Sequence, residues 1–214
     1  MKFCIIGLGR FGYHVATGLA ENGMEVLAID SNESIIASIR DHVTQAICMR
    51  VTDEASLRSV GVDQMDTVIV AMGENFAQSI LVTALLKKRL EIKRVIARAI
   101  NDIHKEILHL TGADQVILPE QEIGIRLADT LSTPFTELFR MSKDFSISLL
   151  NAPHSFIGKT VKQLDLYHIN HVYCIGVKKS PEEILSLDPE YVIQAGDRLI
   201  FAGNNKDLER VARL

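Results

Sequence analysis

Along the first half of the chain, short and nearly all-apolar runs alternate with stretches of helical spacing. Lys2-Phe3-Cys4-Ile5-Ile6 ends in glycines, as a strand buried on both faces does. From Phe11 onward the apolar positions take helical spacing. Glu25-Val26-Leu27-Ala28-Ile29 ends at Asp30, and Ser31 and Asn32 offer an N-cap to the next helix. Further runs at residues 45–49, 67–71, 94–97 and 115–118 predict four more strands, with helices expected at 75–89 and 102–110. Six strands alternating with helices predict an α/β fold, a Rossmann-like doubly wound parallel sheet.

The rhythm then changes. Residues 120–141 read as one long or broken helix, with Pro134 as a kink or junction. Beyond Lys143 the pattern is strand-rich, at 145–150, 171–177, 184–187 and 198–201, the last after the turn at Ala195-Gly196-Asp197. A final helix is expected over 204–212. The reading is therefore a nucleotide-binding domain at 1–141, including a crossover helix, and a smaller α+β domain at 142–214. The second domain, of about 70 residues, is a size at which one core is marginal alone.

Composition narrows the function. The 214 residues carry 23 Lys+Arg and 27 Asp+Glu, a formal charge of −4. That balance speaks against a nucleic-acid binder, which shows a basic stripe. Three widely spaced cysteines, Cys4, Cys48 and Cys174, exclude a disulfide scaffold and any CxxC metal site and suit a reducing cytosol. The apolar run at residues 80–86 stops at Lys87-Lys88-Arg89, far short of the roughly 18 residues that span a bilayer.

Gly7-Leu8-Gly9-Arg10-Phe11-Gly12 is a GxGxxG loop placed after a predicted strand and before a predicted helix. Gly7 allows the tight turn, Gly9 clears the approach of a pyrophosphate, and Gly12 lets helix and strand pack closely. The helix N-terminus adds free N–H groups and a positive dipole. Asp30, at the end of the second strand, is placed to accept from ribose hydroxyls and to repel a 2′-phosphate. The motif reads adenosine diphosphate, a part common to NAD, ADP and ATP, so it does not by itself establish hydride chemistry.

With these segments the chain resembles the KtrA/TrkA family of RCK potassium-uptake regulators, in its short Ktr form. The similarity extends over Val68 to Asn75, Ser79 to Thr83, Ala97-Arg98-Ala99, His104-Lys105, Gly112-Ala113-Asp114 and Pro119-Glu120. In the second domain it rests on Gly158-Lys159-Thr160 and Gly196-Asp197-Arg198-Leu199. The resemblance implies a regulatory protein, not an enzyme. It implies a homodimer assembling into an octameric ring, cytoplasmic and peripheral on the inner face of the membrane. Such a ring docks on a membrane potassium-translocating subunit, and ATP and ADP favour different ring shapes. By position, Arg10 would reach the phosphates and Asp30 the ribose, with Ser31 beside it. Met72, Gly73, Glu74 and Asn75 would line the phosphate side, and Arg98 would add a cation there. Glu120 would help to hold Mg²⁺ at the terminal phosphate. Where the family carries an Asp facing the adenine amine, this chain has Arg50-Val51-Thr52. A guanidinium is donor-only, so Arg50 is expected to stack on adenine or donate to a ring nitrogen. Leu166-Tyr167-His168 lacks the basic residue of cyclic di-AMP binders, so that ligand is not carried over.

The alternatives are an NAD(H)-binding sensor and a small NAD-dependent oxidoreductase; no Tyr-x-x-x-Lys or His/Asp relay speaks for the latter. The histidine pairs His104/His109 and His168/His171 lack a third ligand and read as ordinary histidines. Cys48 reads as a small core residue. The apolar stripe Ile123, Leu127, Leu131, Phe135, Leu138 and Phe139 reads as helical, packed on its own subunit or crossing onto a neighbour.

Overall fold

The computed structural model describes every residue except Glu74, Pro181 and Glu182. The chain divides into two compact units, Met1–Glu120 and Gln121–Leu214.

In the first unit, the strands β1 (Lys2–Ile6), β2 (Glu25–Asp30), β3 (Gln45–Cys48), β4 (Thr67–Val70), β5 (Arg94–Arg98) and β6 (Gln115–Ile117) make one parallel sheet. Its order is β3-β2-β1-β4-β5-β6. The helices α1 (Arg10–Glu21), α2 (Glu33–Ile39), α3 (Glu54–Ser59), α4 (Phe76–Lys88) and α5 (Asp102–Thr111) connect the strands. Successive side chains of a strand point to opposite faces. Cys4, Ile6, Leu27, Ile29, Val68 and Val70 accordingly enter one core, while Ile5, Val26, Ala28 and Ile69 enter the other. This two-sided burial is why the central strands read as unbroken apolar runs. Asn32, Asp53, Asn75 and Asn101 cap α2, α3, α4 and α5, each accepting a backbone N–H of its helix's first turn.

In the second unit, β7 (Glu137–Arg140), β8 (Phe145–Asn151), β9 (Val172–Lys178), β10 (Ile184–Ser186) and β11 (Arg198–Asn204) form an antiparallel sheet of order β10-β9-β11-β8-β7. The short helices α7 (Val161–Leu164) and α8 (Leu166–Asn170) and the terminal α9 (Asn205–Val211) accompany it. Asp197 ties the turn before β11 together, accepting from the Lys179 ammonium at 2.6 Å, the Tyr191 hydroxyl at 2.8 Å and the Gln194 N–H at 2.9 Å.

Three expectations are corrected. Residues 120–141 are not one helix: α6 covers Pro119–Ser132, and Glu137–Arg140 is strand β7. Pro134 cannot continue the helix. Beyond it Phe135 and Leu138 enter the second core, and Leu138 pairs with Ser148 across the sheet. By compactness the units part at Glu120, whereas the sequence reading keeps the crossover helix with the first domain and so draws its boundary at Met141. The apolar stripe is divided in the same way. Ile123, Leu127 and Leu131 on α6 are exposed, and no residue of that helix is buried. Cys48 is not a core residue. It lies on the edge strand β3, exposed, with its thiol 3.7 Å from the Ser31 carbonyl.

Candidate functional site

The C-terminal ends of the parallel strands open into a cleft of about 970 Å³. The turn from β1 into α1 forms its floor. Gly7 adopts φ +93°, a left-handed conformation that favours glycine, and a Cβ there would come within 2.7 Å of the Met72 side chain. A Cβ on Gly12 would stand 2.0 Å from the Gly7 carbonyl oxygen. Gly9 differs, because a Cβ there would meet nothing within 4 Å. Gly7 and Gly12 thus serve the tight turn, while Gly9 keeps open the space in front of the α1 N-terminus.

Asp30 locks this loop from the neighbouring strand. Its Oδ2 accepts the Leu8 N–H at 2.6 Å and its Oδ1 accepts the Asn32 N–H at 2.9 Å. Each carboxylate oxygen keeps a second acceptor position, which suits a ribose hydroxyl.

The cleft brings together most of the residues expected from the sequence: Gly7, Gly9, Arg10 and Phe11 from the loop, Asp30 at the end of β2 with Ser31 just after it, and Arg50 and Val51 after β3. Met72, Gly73 and Asn75 follow β4, and Arg98 and Glu120 complete the far side. Gly12 lies beneath the loop, not on the cleft wall. Thr52 faces an adjoining depression of about 370 Å³, where its hydroxyl donates to Asp53. Glu74 lies outside the described residues. Asn75 also serves structure, since its side-chain oxygen caps α4.

Gln78 is a wall residue that the sequence reading missed. Its amide donates to the Val51 carbonyl at 2.5 Å, linking the start of α4 to the segment after β3. Its position three residues after the cap Asn75, where a capping-box glutamine stands, was the available signal.

Arg10, Arg50 and Arg98 all line the cleft, and among the described residues Arg10 and Arg50 form no ion pair. Arg98 donates through Nη2 to Glu120 at 2.5 Å, and its buried Nε has no partner among the described residues. Open space at Gly9, free loop N–H groups and three guanidinium groups fit a ligand bearing phosphates.

A Mg²⁺ held by one carboxylate together with phosphate oxygens would need Glu120 alone from the protein. An all-protein cation cage is a different matter. Among the described residues no three acidic, histidine or cysteine side chains converge. The Glu120 carboxylate is engaged by Arg98. Its own backbone N–H, with help from that guanidinium, holds it below the ordinary glutamate range, against the opposing effect of burial. His104 is no metal ligand. It is buried behind α4, 2.8 Å from the Ser79 hydroxyl and stacked on Phe76, and burial lowers its pKa.

The family model described as the TrkA-N domain matches residues 3–119, and that of the TrkA-C domain matches 147–214. The Ktr system potassium uptake protein A of Bacillus subtilis is 34% identical over 210 residues, 98% of this chain and 94% of that protein. Among solved structures, a GsuK channel bound to NAD superposes with a TM-score of 0.56 at 24% identity, over 99% of this chain and 38% of the channel chain. A GsuK bound to ADP does so at 0.54 and 27% identity, over 61% of this chain and 34% of that one. With both family models matched in order and the Ktr relative aligned over nearly its whole length, the chain belongs to the TrkA family that includes the Ktr potassium uptake proteins.

Proposed function

We propose that this chain is the nucleotide-binding regulatory subunit of a Ktr-type potassium uptake system. The observation that carries the reading is the cleft, in which an open glycine loop, a loop-locking Asp30 and three arginines face one space. The near full-length likeness to a Ktr potassium uptake protein supports the transport role.

ATP and ADP are the preferred ligands, with the ribose at Asp30 and the phosphates at the glycine loop and Arg98. NAD(H) is the second reading, favoured by the adenosine diphosphate it shares with them. A ligand shifts a conformational equilibrium only through its different affinity for the two states, and ATP and ADP differ there by one phosphate. The chain's own contribution is to bind, orient and count phosphates; it acts as a regulator, not as an enzyme.

Among the described residues no helix is long and apolar enough to cross a membrane. The potassium path is assigned to a separate membrane subunit, and this chain to its cytoplasmic face. The exposed Ile123, Leu127 and Leu131 of α6 support a homodimer, the building block of an octameric ring.

Calorimetric titration of the purified chain with ATP, ADP and NADH tests the reading. Measurable ATP and ADP affinity without turnover supports it. Tight NADH binding with hydride transfer to a metabolite refutes it.

A further inference from the structure

Arg98 ends β5 with its guanidinium over Gly73. Nη1 lies 1.9 Å from the point where a Cβ on Gly73 would stand, so glycine leaves the arginine its room. Nη2 holds Glu120, while Nε is buried without a partner among the described residues. The Arg98 side chain is 19% exposed and that of Glu120 is 68% exposed. The arginine is thus part of the cleft wall, and the glutamate reaches in from solvent as the movable partner.

Strand spacing says which part of a ligand meets this pair. Neighbouring strands lie about 4.8 Å apart, and β5 is three strands from β2, so Arg98 stands about 14 Å along the sheet from Asp30. A nucleotide whose ribose sits at Asp30 presents its distal phosphates to Arg98, not its base or its first phosphate.

We propose that Glu120 is a built-in stand-in for the distal phosphate: its carboxylate occupies Arg98 in the ligand-free chain, and a phosphate must displace it. The proposal rests on the nucleotide reading of the cleft. Carboxylate and phosphate both take the same planar fork of donors. Two anions brought to one guanidinium repel each other, so the arriving phosphate drives the carboxylate out. Adenosine monophosphate, ending short of Arg98, leaves the pair intact. Glu120 lies in the first turn of α6, so its release removes a tether between the end of β5 and the start of that helix. The number of phosphates then decides whether the start of α6 is held. Glu120 acts here, in the ligand-free chain, as the partner of a cation already in the protein.

The test is calorimetric titration of the full chain with AMP, ADP and ATP, once in EDTA and once in Mg²⁺, for the parent and for Glu120→Gln. In EDTA, Glu120→Gln is expected to tighten ATP or ADP by about two- to fivefold, the worth of a partly exposed ion pair, and to leave AMP unchanged. Glu120→Ala repeats the result, and thermal midpoints near the parent's confirm that both variants fold. The same affinities in parent and variant, or a loss confined to ATP with Mg²⁺, overturn the stand-in. A parent that binds none of the three overturns the nucleotide reading itself, and the stand-in with it.

Discussion

Replacing Asp30 by alanine removes a carboxylate that is in use before any ligand arrives. Its Oδ2 accepts the Leu8 N–H at 2.6 Å, and Leu8 is only 2% exposed, so water is poorly placed to take over. A charge-assisted bond to such a donor contributes about 1.5–3 kcal/mol. The bond to the Asn32 N–H, nearer solvent, adds about 0.5–1 kcal/mol. Asp30→Ala is therefore expected to destabilise the ligand-free first unit by about 2–4 kcal/mol. At this chain length that lowers the thermal midpoint by roughly 5–15 °C in a calorimetric scan. Lost ribose contacts are expected to weaken adenosine nucleotides at least about tenfold, or 1.4 kcal/mol, by titration at a temperature where the variant is folded. The two readouts separate the two roles. An unchanged midpoint refutes the locking of the glycine loop by Asp30, and an unchanged affinity refutes the ribose assignment.

The glycine loop predicts a contrast within one motif. Gly12→Ala forces a Cβ against the Gly7 carbonyl and is expected to cost about 1–3 kcal/mol of stability, whereas Gly9→Ala leaves the thermal midpoint in place and weakens phosphate binding. His104, with its pKa lowered by burial, favours the neutral form when folded. Stability is then complete above the unfolded-state value of about 6.5 and falls as pH drops through the lower folded value; His104→Gln is expected to flatten that slope in denaturant titrations. Burial alone would raise the Asp197 carboxyl, but bonds from Lys179, the Gln194 N–H and Tyr191 outweigh it and hold the group below its ordinary range. The second unit should therefore lose stability as pH falls below about 4. Asp197→Ala should cost about 1–3 kcal/mol, because it leaves the Tyr191 hydroxyl and the Gln194 N–H without their acceptor. Leu127→Glu, on the exposed face of α6, is expected to give a smaller particle by light scattering with the fold intact; an unchanged mass would move the subunit interface elsewhere.

The first unit was legible because its strands are buried on both faces, so Cys4 to Ile6 and Val26 to Ile29 stand out as apolar blocks between glycines and caps. The edge strand was harder. Only half of β3 is covered, and so Cys48, read as core, lies in solvent. The helices α3, α7 and α8, of 6, 4 and 5 residues, are too short to show a helical period. After Pro134 the pattern misled, since Phe135, Leu138 and Phe139 have a spacing that either a helix or a strand end can show. Antiparallel pairing with β8, across the short turn at 141–144, decided between them. In the cleft, the glycines, Asp30 and Arg98 were readable because each sits at the end of a strand, where a parallel sheet gathers its ligands. The pairing of Arg98 with Glu120 joins residues 22 apart through the fold, and no local spacing announces it.

A 14-residue helix with no buried side chain has little to hold it together in water. Where the cover for α6 is supplied by another copy, the free energy of that cover is set by mass action. The order of α6 then depends on how much protein is present. The melting temperature of the parent should rise with protomer concentration, and the cell's dosage of this chain becomes one of the variables that the assembly senses.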